Sequence, residues 1–141
     1  MSVFQAFDVA GSAMNAQSLR LNMTASNMAN AETVAGSPEE AYKARQPVFA
    51  AALRGVQDGG GNGAAVEVAM RGTAESNAPH QRLHMPGHPE ADADGFVYRS
   101  NVNTVEEMTN MISASRGYQN NVEVMNTSKQ LALQTLQLGQ N

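Results

Sequence analysis

The chain has 141 residues, 42% of them apolar and 5% aromatic, with nine methionines, no tryptophan and no cysteine. That supports one compact domain with a core of Met, Leu, Val and Ala, and it excludes disulfides, thiol catalysis and thiolate metal sites. A formal net charge of −4 supplies no cluster of Lys and Arg for phosphates, which sets nucleic acid aside as a partner.

The first residues, MSVFQAFDVAGSAM, contain no basic region followed by an uninterrupted apolar run. No segment of the chain approaches the roughly 18 apolar residues of a membrane span. The expectation is a cytosolic chain, or one exported without a cleaved signal.

From Phe4 the chain reads as a helix. Positions three and four apart are Phe4, Phe7, Gly11, Met14, Ser18, Leu21, Ala25 and Met28, a heptad-like seam. Small residues at every seventh position (Gly11, Ser18 and Ala25) let a partner helix approach closely. A second stripe, Val9, Ala13, Ala16 and Met23, lies on another face. The stretch LRLNMTASNMANAET ends this helix near Asn30, because asparagine tolerates the left-handed conformation of a C-cap.

All the prolines (38, 47, 79, 86 and 89) fall in the middle of the chain. QPVFAAAL and AAVEVAMRG flank GVQDGGGNG, which reads as two strands joined by a flexible hairpin connection. Val66, Val68 and Met70 alternate with Glu67, Ala69 and Arg71, the pattern of a half-buried strand with its apolar residues inward. Asp94 and Gly95 mark a turn before a short strand over 96–98. Two to four such strands form an element too small to stand alone, so it should lean on the helices.

The last helix begins at Thr104, where Thr104 and Glu107 match a capping box and Glu106 suits the first turn. With no proline before Leu138, it extends for about 35 residues, or about 50 Å. Its seam reads Met108, Met111, Ser115, Tyr118, Val122, Met125, Lys129, Ala132 and Leu136, while Val124, Leu131 and Leu138 form a second row. One partner helix cannot cover both. The expected fold is mainly α, with long N- and C-terminal helices pairing as an antiparallel coiled-coil-like hairpin and a small middle region containing a β-hairpin. Residues 1–33 and 103–141 would form the helical core, and 34–102 the middle.

Candidate chemistry is sparse. His80, His84 and His88 recur at intervals of four, but Pro79, Pro86 and Pro89 prevent a helix from aligning them as metal ligands. Solvated loop histidines are the simpler reading. DGGGNG lacks the Lys and Ser/Thr of a phosphate-binding loop and opens a strand, so it reads as a linker. Glu39 with Glu40, Glu106 with Glu107, and Glu90 with Asp92 and Asp94 are the acidic pairs and groups usual in caps and loops. Ser113, Ser115 and Arg116 have no histidine near them in sequence. Nothing here argues for an enzyme, a cofactor, a metal or a small-molecule substrate.

Charge distribution is more informative. Residues 1–30 contain only Asp8 and Arg20, and residues 101–141 only Glu106, Glu107, Arg116, Glu123 and Lys129. Neutral hydrogen-bonding side chains fill the remaining polar positions, as they would on helices packed against neighbours at low desolvation cost. A soluble helical hairpin with an amide-rich surface is the alternative. Two apolar rows on each helix favour association.

These segments resemble a known family. SLRLNMTASNMANAET is similar to the signature that closes the first helix of the bacterial flagellar axial proteins of rod, hook and hook-filament junction. EEMTNMISASRGYQNNVEVMNTSKQLALQTLQLGQ, FDVAGSAMNAQSLRLN and ADADGFVYRSNVN resemble the short proximal-rod subunits of that family. Two features depart from the common pattern: TVAGSPEEAYKARQ delays Pro38 and Tyr42, and Ser100 stands where proline is expected before NVN.

The resemblance implies a structural subunit. Its terminal helices would pair and pack around a central channel, in a helical tube that transmits torque from motor to hook. Its partners would be further copies of itself, other rod proteins and the flagellar type III export apparatus. Its place would be the basal-body rod, reached without signal cleavage. The residues expected at the assembly interface are Phe4, Phe7, Gly11, Met14, Leu21, Ala25, Asn27, Met28, Asn30, Met108, Met111, Tyr118, Val122, Met125, Leu131 and Leu136. The competing class is an intracellular helical adaptor or chaperone-like module that clasps a client helix.

Overall fold

The computed structural model describes residues 3–54 and 65–139. Helix α1 (Val3–Ala29) and helix α2 (Thr104–Leu138) flank five strands: β1 (Val34–Ala35), β2 (Arg45–Arg54), β3 (Ala65–Glu75), β4 (Arg82–His84) and β5 (Phe96–Arg99). The glycine-rich hairpin connection expected after β2 lies outside the described residues.

Helix α1 ends through side-chain bonding. The Asn30 amide Nδ2 donates to the Ser26 carbonyl at 2.8 Å, and Thr33 Oγ1 donates to the Asn30 carbonyl at 2.7 Å. Two carbonyls near the helix end thereby gain partners. No non-glycine residue among those described has a positive φ, so Asn30 caps the helix with its amide and not by the left-handed conformation expected of it.

The start of α2 also differs in detail from the capping box. Asn103, not Thr104, is the N-cap: its Oδ1 accepts from the backbone N–H of Val105 at 3.1 Å and of Glu106 at 3.4 Å. Asparagine is at least as good a cap as threonine, and its position puts Thr104 inside the first turn.

The strands form a three-stranded antiparallel sheet ordered β1-β5-β4 and a two-stranded sheet, β2-β3. In the first, Ala35 and Arg82 flank Tyr98 on either side, and Leu83 lies opposite Val97. In the second, Arg45 at the start of β2 lies beside Glu75 at the end of β3, with 3.4 Å between Nε and Oε1. That places the two strands antiparallel.

Contacts divide the chain into two compact units. One comprises 1–19, 48–72 and 113–141; the other comprises 20–47 and 73–112. The second holds Val97 and Asn27, the largest fully buried side chains, together with Ala31, Ala41 and Ala44. Ala10, Ala16 and Ala114 are buried in the first.

Burial corrects two of the periodicities. On α1, Asp8, Asn15, Asn22 and Ala29 form an exposed row, and the most buried positions are Ala10, Ala16, Thr24 and Asn27. The seam from Phe4 to Met28 is half-buried where described, apart from exposed Ala25. Small and amide side chains occupy the closest contacts because bulky ones would hold the backbones apart.

On β3 the expected direction is reversed. Val66, Val68 and Met70 form the exposed set, while Glu67 and Ala69 between them are half-buried.

Candidate functional site

In the unit of residues 20–47 and 73–112, two asparagines organise the polar interior. Asn27 projects from the last turns of α1 and is fully buried. Its Oδ1 accepts from the Tyr42 hydroxyl and the Arg45 N–H, both at 3.0 Å, and its Nδ2 donates to the Arg45 carbonyl at 2.8 Å. Asn101 does the same work further along. Its Oδ1 accepts from the Ala44 N–H at 2.7 Å, and its Nδ2 donates to the carbonyls of Ser76 and Ala78 at 3.1 and 2.9 Å. The amide side chain suits both places, since it bonds both an N–H and a C=O of the chain's own backbone.

Arginine completes this region. Arg99 Nε donates to the Ala31 carbonyl, and its guanidinium also bonds Glu32. The Arg45 guanidinium lies 5.7 Å from the centroid of the Tyr42 ring. Arg45 and Glu75 are half-exposed, so their ion pair contributes little beyond orientation.

In the unit of 1–19, 48–72 and 113–141, Gln17 of α1 lies against Gly117 of α2. A Cβ added at Gly117 would meet the Gln17 amide at 3.1 Å. Glycine there permits the close approach. On α2 within this unit the half-buried side is Ser115, Gly117, Asn121, Val122, Met125, Ser128 and Ala132. Outside it, Val124 is 49% exposed, Leu131 53%, Leu136 65% and Leu138 80%. Such exposed apolar side chains on a helix short of charge have the character of contact surface.

The expected interface residues therefore divide into groups. Met108, Tyr118, Leu131 and Leu136 are exposed, as is Ala25; Phe7, Gly11, Met14, Leu21, Met28, Asn30, Met111, Val122 and Met125 are half-buried. The Phe4 side chain lies outside the described residues. Asn27 has no surface left to offer a neighbour, because it is fully buried within its own unit, where its amide makes three hydrogen bonds. The signal for that internal role was the Asn-rich motif itself, but periodicity cannot tell an amide facing a neighbour from one facing the chain's own backbone. Val105 and Ile112, exposed by 71% and 56%, share a face with Met108, although neither is among the expected seam residues.

The three histidines have separate local tasks. His80 Nδ1 is 2.9 Å from the Arg99 carbonyl, the His84 ring lies tilted against Phe96, and His88 Nδ1 accepts from the Glu90 N–H. Asp92 Oδ1 accepts from the N–H groups of Asp94 and Phe96, and the turn it closes contains Gly95 at φ +78°. This acid shapes a turn into β5.

Family comparison adds to this geometry. Residues 7–36 match the family model described as flagella basal body rod protein, and residues 93–138 match the one described as flagellar basal body rod FlgEFG protein C-terminal. The chain is 51% identical over 140 residues to the flagellar basal-body rod protein FlgC of Yersinia enterocolitica, covering 99% of this chain and all of the relative. It is 47% identical to the protein of that name from Salmonella typhimurium and 35% to that from Buchnera aphidicola of Acyrthosiphon pisum, over the same shares.

Proposed function

The chain belongs to the family of flagellar basal-body rod proteins FlgC, and on that premise we propose that it is a self-assembling subunit of the proximal rod. It is a structural part of the basal body and works with other axial proteins. Within a subunit, α1 and α2 pair antiparallel, and their outer rows bind the same helices of neighbouring copies and of other rod proteins. The resulting tube surrounds a channel and transmits torque to the hook.

The observation that carries this reading is the set of exposed leucines near the end of α2. Leu131, Leu136 and Leu138 are each more than half exposed, on a segment whose last charged residue is Lys129. Two further observations support it. Gln17 packs on Gly117, which supports pairing of the helices. The exposed apolar side chains lie outside the half-buried side and are free to meet neighbours, and a head-to-tail contact through them would generate a helix rather than a closed dimer. Each contact can be modest because a subunit in a lattice touches several neighbours at once.

Delivery follows from the same premise. The subunit leaves the cytoplasm through the flagellar type III export apparatus without losing a signal segment. No helix among the described residues is long and apolar enough to cross a membrane.

The test is motility and rod assembly in cells carrying Leu21→Asp, Val122→Asp or Leu136→Asp. Each should abolish both, with Leu136→Asp leaving the folded subunit intact. Full motility in all three variants overturns the proposal.

A further inference from the structure

Carboxylates are seldom taken out of water without a partner, because desolvation is then uncompensated. Glu107 on α2 is an exception. It is 4% exposed, the one charged residue among those described that is buried. Its backbone N–H donates to the Asn103 carbonyl at 3.0 Å, but its carboxylate has neither a hydrogen bond nor an ion pair among the described residues. A capping box with Thr104 would have supplied a partner. That box is not formed, since Asn103 is the cap. A negative charge near the start of a helix suits the dipole, yet the exposed Glu106 supplies one without losing its water. Keeping Glu107 buried and unpaired costs the free subunit stability, so its use lies in a state where it is paired.

The surroundings limit what can pair with it. Thr104, Asn110 and Met111 beside it on the helix are half-buried and Ala114 is fully buried, which leaves a narrow approach. Gln17 Oε1 and His80 Nε2 are sealed without partners, whereas the Glu107 oxygens keep a little access to the surface. Lys and Arg carry their charge at the end of a slender aliphatic stem and fit such an approach. A divalent cation does not, since no group of three ligating side chains exists among the described residues.

We propose that Glu107 receives a basic side chain from a helix of a second copy of the chain when copies assemble. This inference rests on the rod-subunit reading and gives it a polar contact. The basic residues of α1 and α2 are Arg20, Arg116 and Lys129. None of the three has a hydrogen bond or ion pair among the described residues, whereas Arg45, Arg82 and Arg99 of the strands are each paired with an acid. An unpaired buried acid and unpaired bases on the same two helices are complementary between copies. Acid and base sit at different places on the chain, so the contact is heterologous and propagates.

The test uses the full chain in motile cells and as dilute subunit. Glu107→Gln keeps the size of the side chain and removes its charge. It should abolish swimming while leaving the thermal midpoint of the dilute subunit undiminished, because no internal partner is lost. Glu107→Lys should also abolish swimming, and one of Arg20→Glu, Arg116→Glu or Lys129→Glu, which impairs swimming alone, should restore it when combined with Glu107→Lys. Wild-type swimming of Glu107→Gln, a lowered midpoint in that variant, or restoration by none of the three reversals overturns the pairing and leaves the rod reading intact. Absence of the wild-type chain from isolated basal bodies overturns the rod reading itself.

Discussion

Replacing Asn27 by alanine would leave the Arg45 N–H and C=O without their partners inside the unit. An orphaned buried group of this kind costs more than an average hydrogen bond contributes, so Asn27→Ala should destabilise the unit by about 2 kcal/mol. Hydrogen exchange at the Arg45 amide would report the loss as faster exchange, and unchanged protection would refute it. Gly95 is a second sensitive position. At φ +78°, with Pro86 Cβ 3.0 Å from where a new Cβ would sit, Gly95→Ala combines backbone strain with a clash and should cost about 1–3 kcal/mol. Thermal unfolding checks this, and an unshifted midpoint would show that the turn can relax.

At the scale of elements, the two helix ends depend on asparagine side chains that work in different directions. Asn103 accepts from orphan N–H groups at the start of α2, whereas Asn30 donates to a carbonyl at the end of α1. Asn103→Ala should therefore weaken the first turn of α2 by about 1 kcal/mol, while Thr104→Ala should change it by a few tenths. Exchange rates of the Val105 and Glu106 amides distinguish the two; equal effects would restore Thr104 as the cap. The sequence located α2 over 104–138 because an uninterrupted apolar periodicity spans it. It did not locate the cap, since Asn103, Thr104 and Glu107 all satisfy capping rules and only the backbone geometry chooses among them.

For the whole molecule, the contrast between the two units predicts how the free subunit behaves. The unit of 20–47 and 73–112 is tied internally by Asn27, Asn101 and Arg99. The C-terminal end of α2 in the other unit carries exposed leucines instead. In dilute subunit, amides near 27–45 and 97–101 should exchange slowly and those from 124 onward quickly, the latter slowing on assembly. Strong protection from 124 onward in dilute subunit would contradict this.

By itself the sequence determined the two long helices, their shortage of charge and the positions of β2, β3 and β5, whereas β1 and β4, the latter in the stretch expected to be a histidine loop, were not located. Helical periodicity over 27 and 35 residues, proline confined to the middle, and alternation at 66–71 are local signals that need no partner. It also carried the family resemblance. Tertiary structure decided direction. Val66, Val68 and Met70 alternate correctly for a strand, yet which side of a strand is covered depends on what lies against it, and here that side is the one bearing Glu67 and Ala69. Asn27 reads as one amide among many in MTASNMANAET, and only the return of the chain at Tyr42 and Arg45 turns it into a buried anchor. Periodicity identifies faces, but assigning each face to solvent, to the chain's own backbone or to a neighbour requires contacts that are distant in sequence.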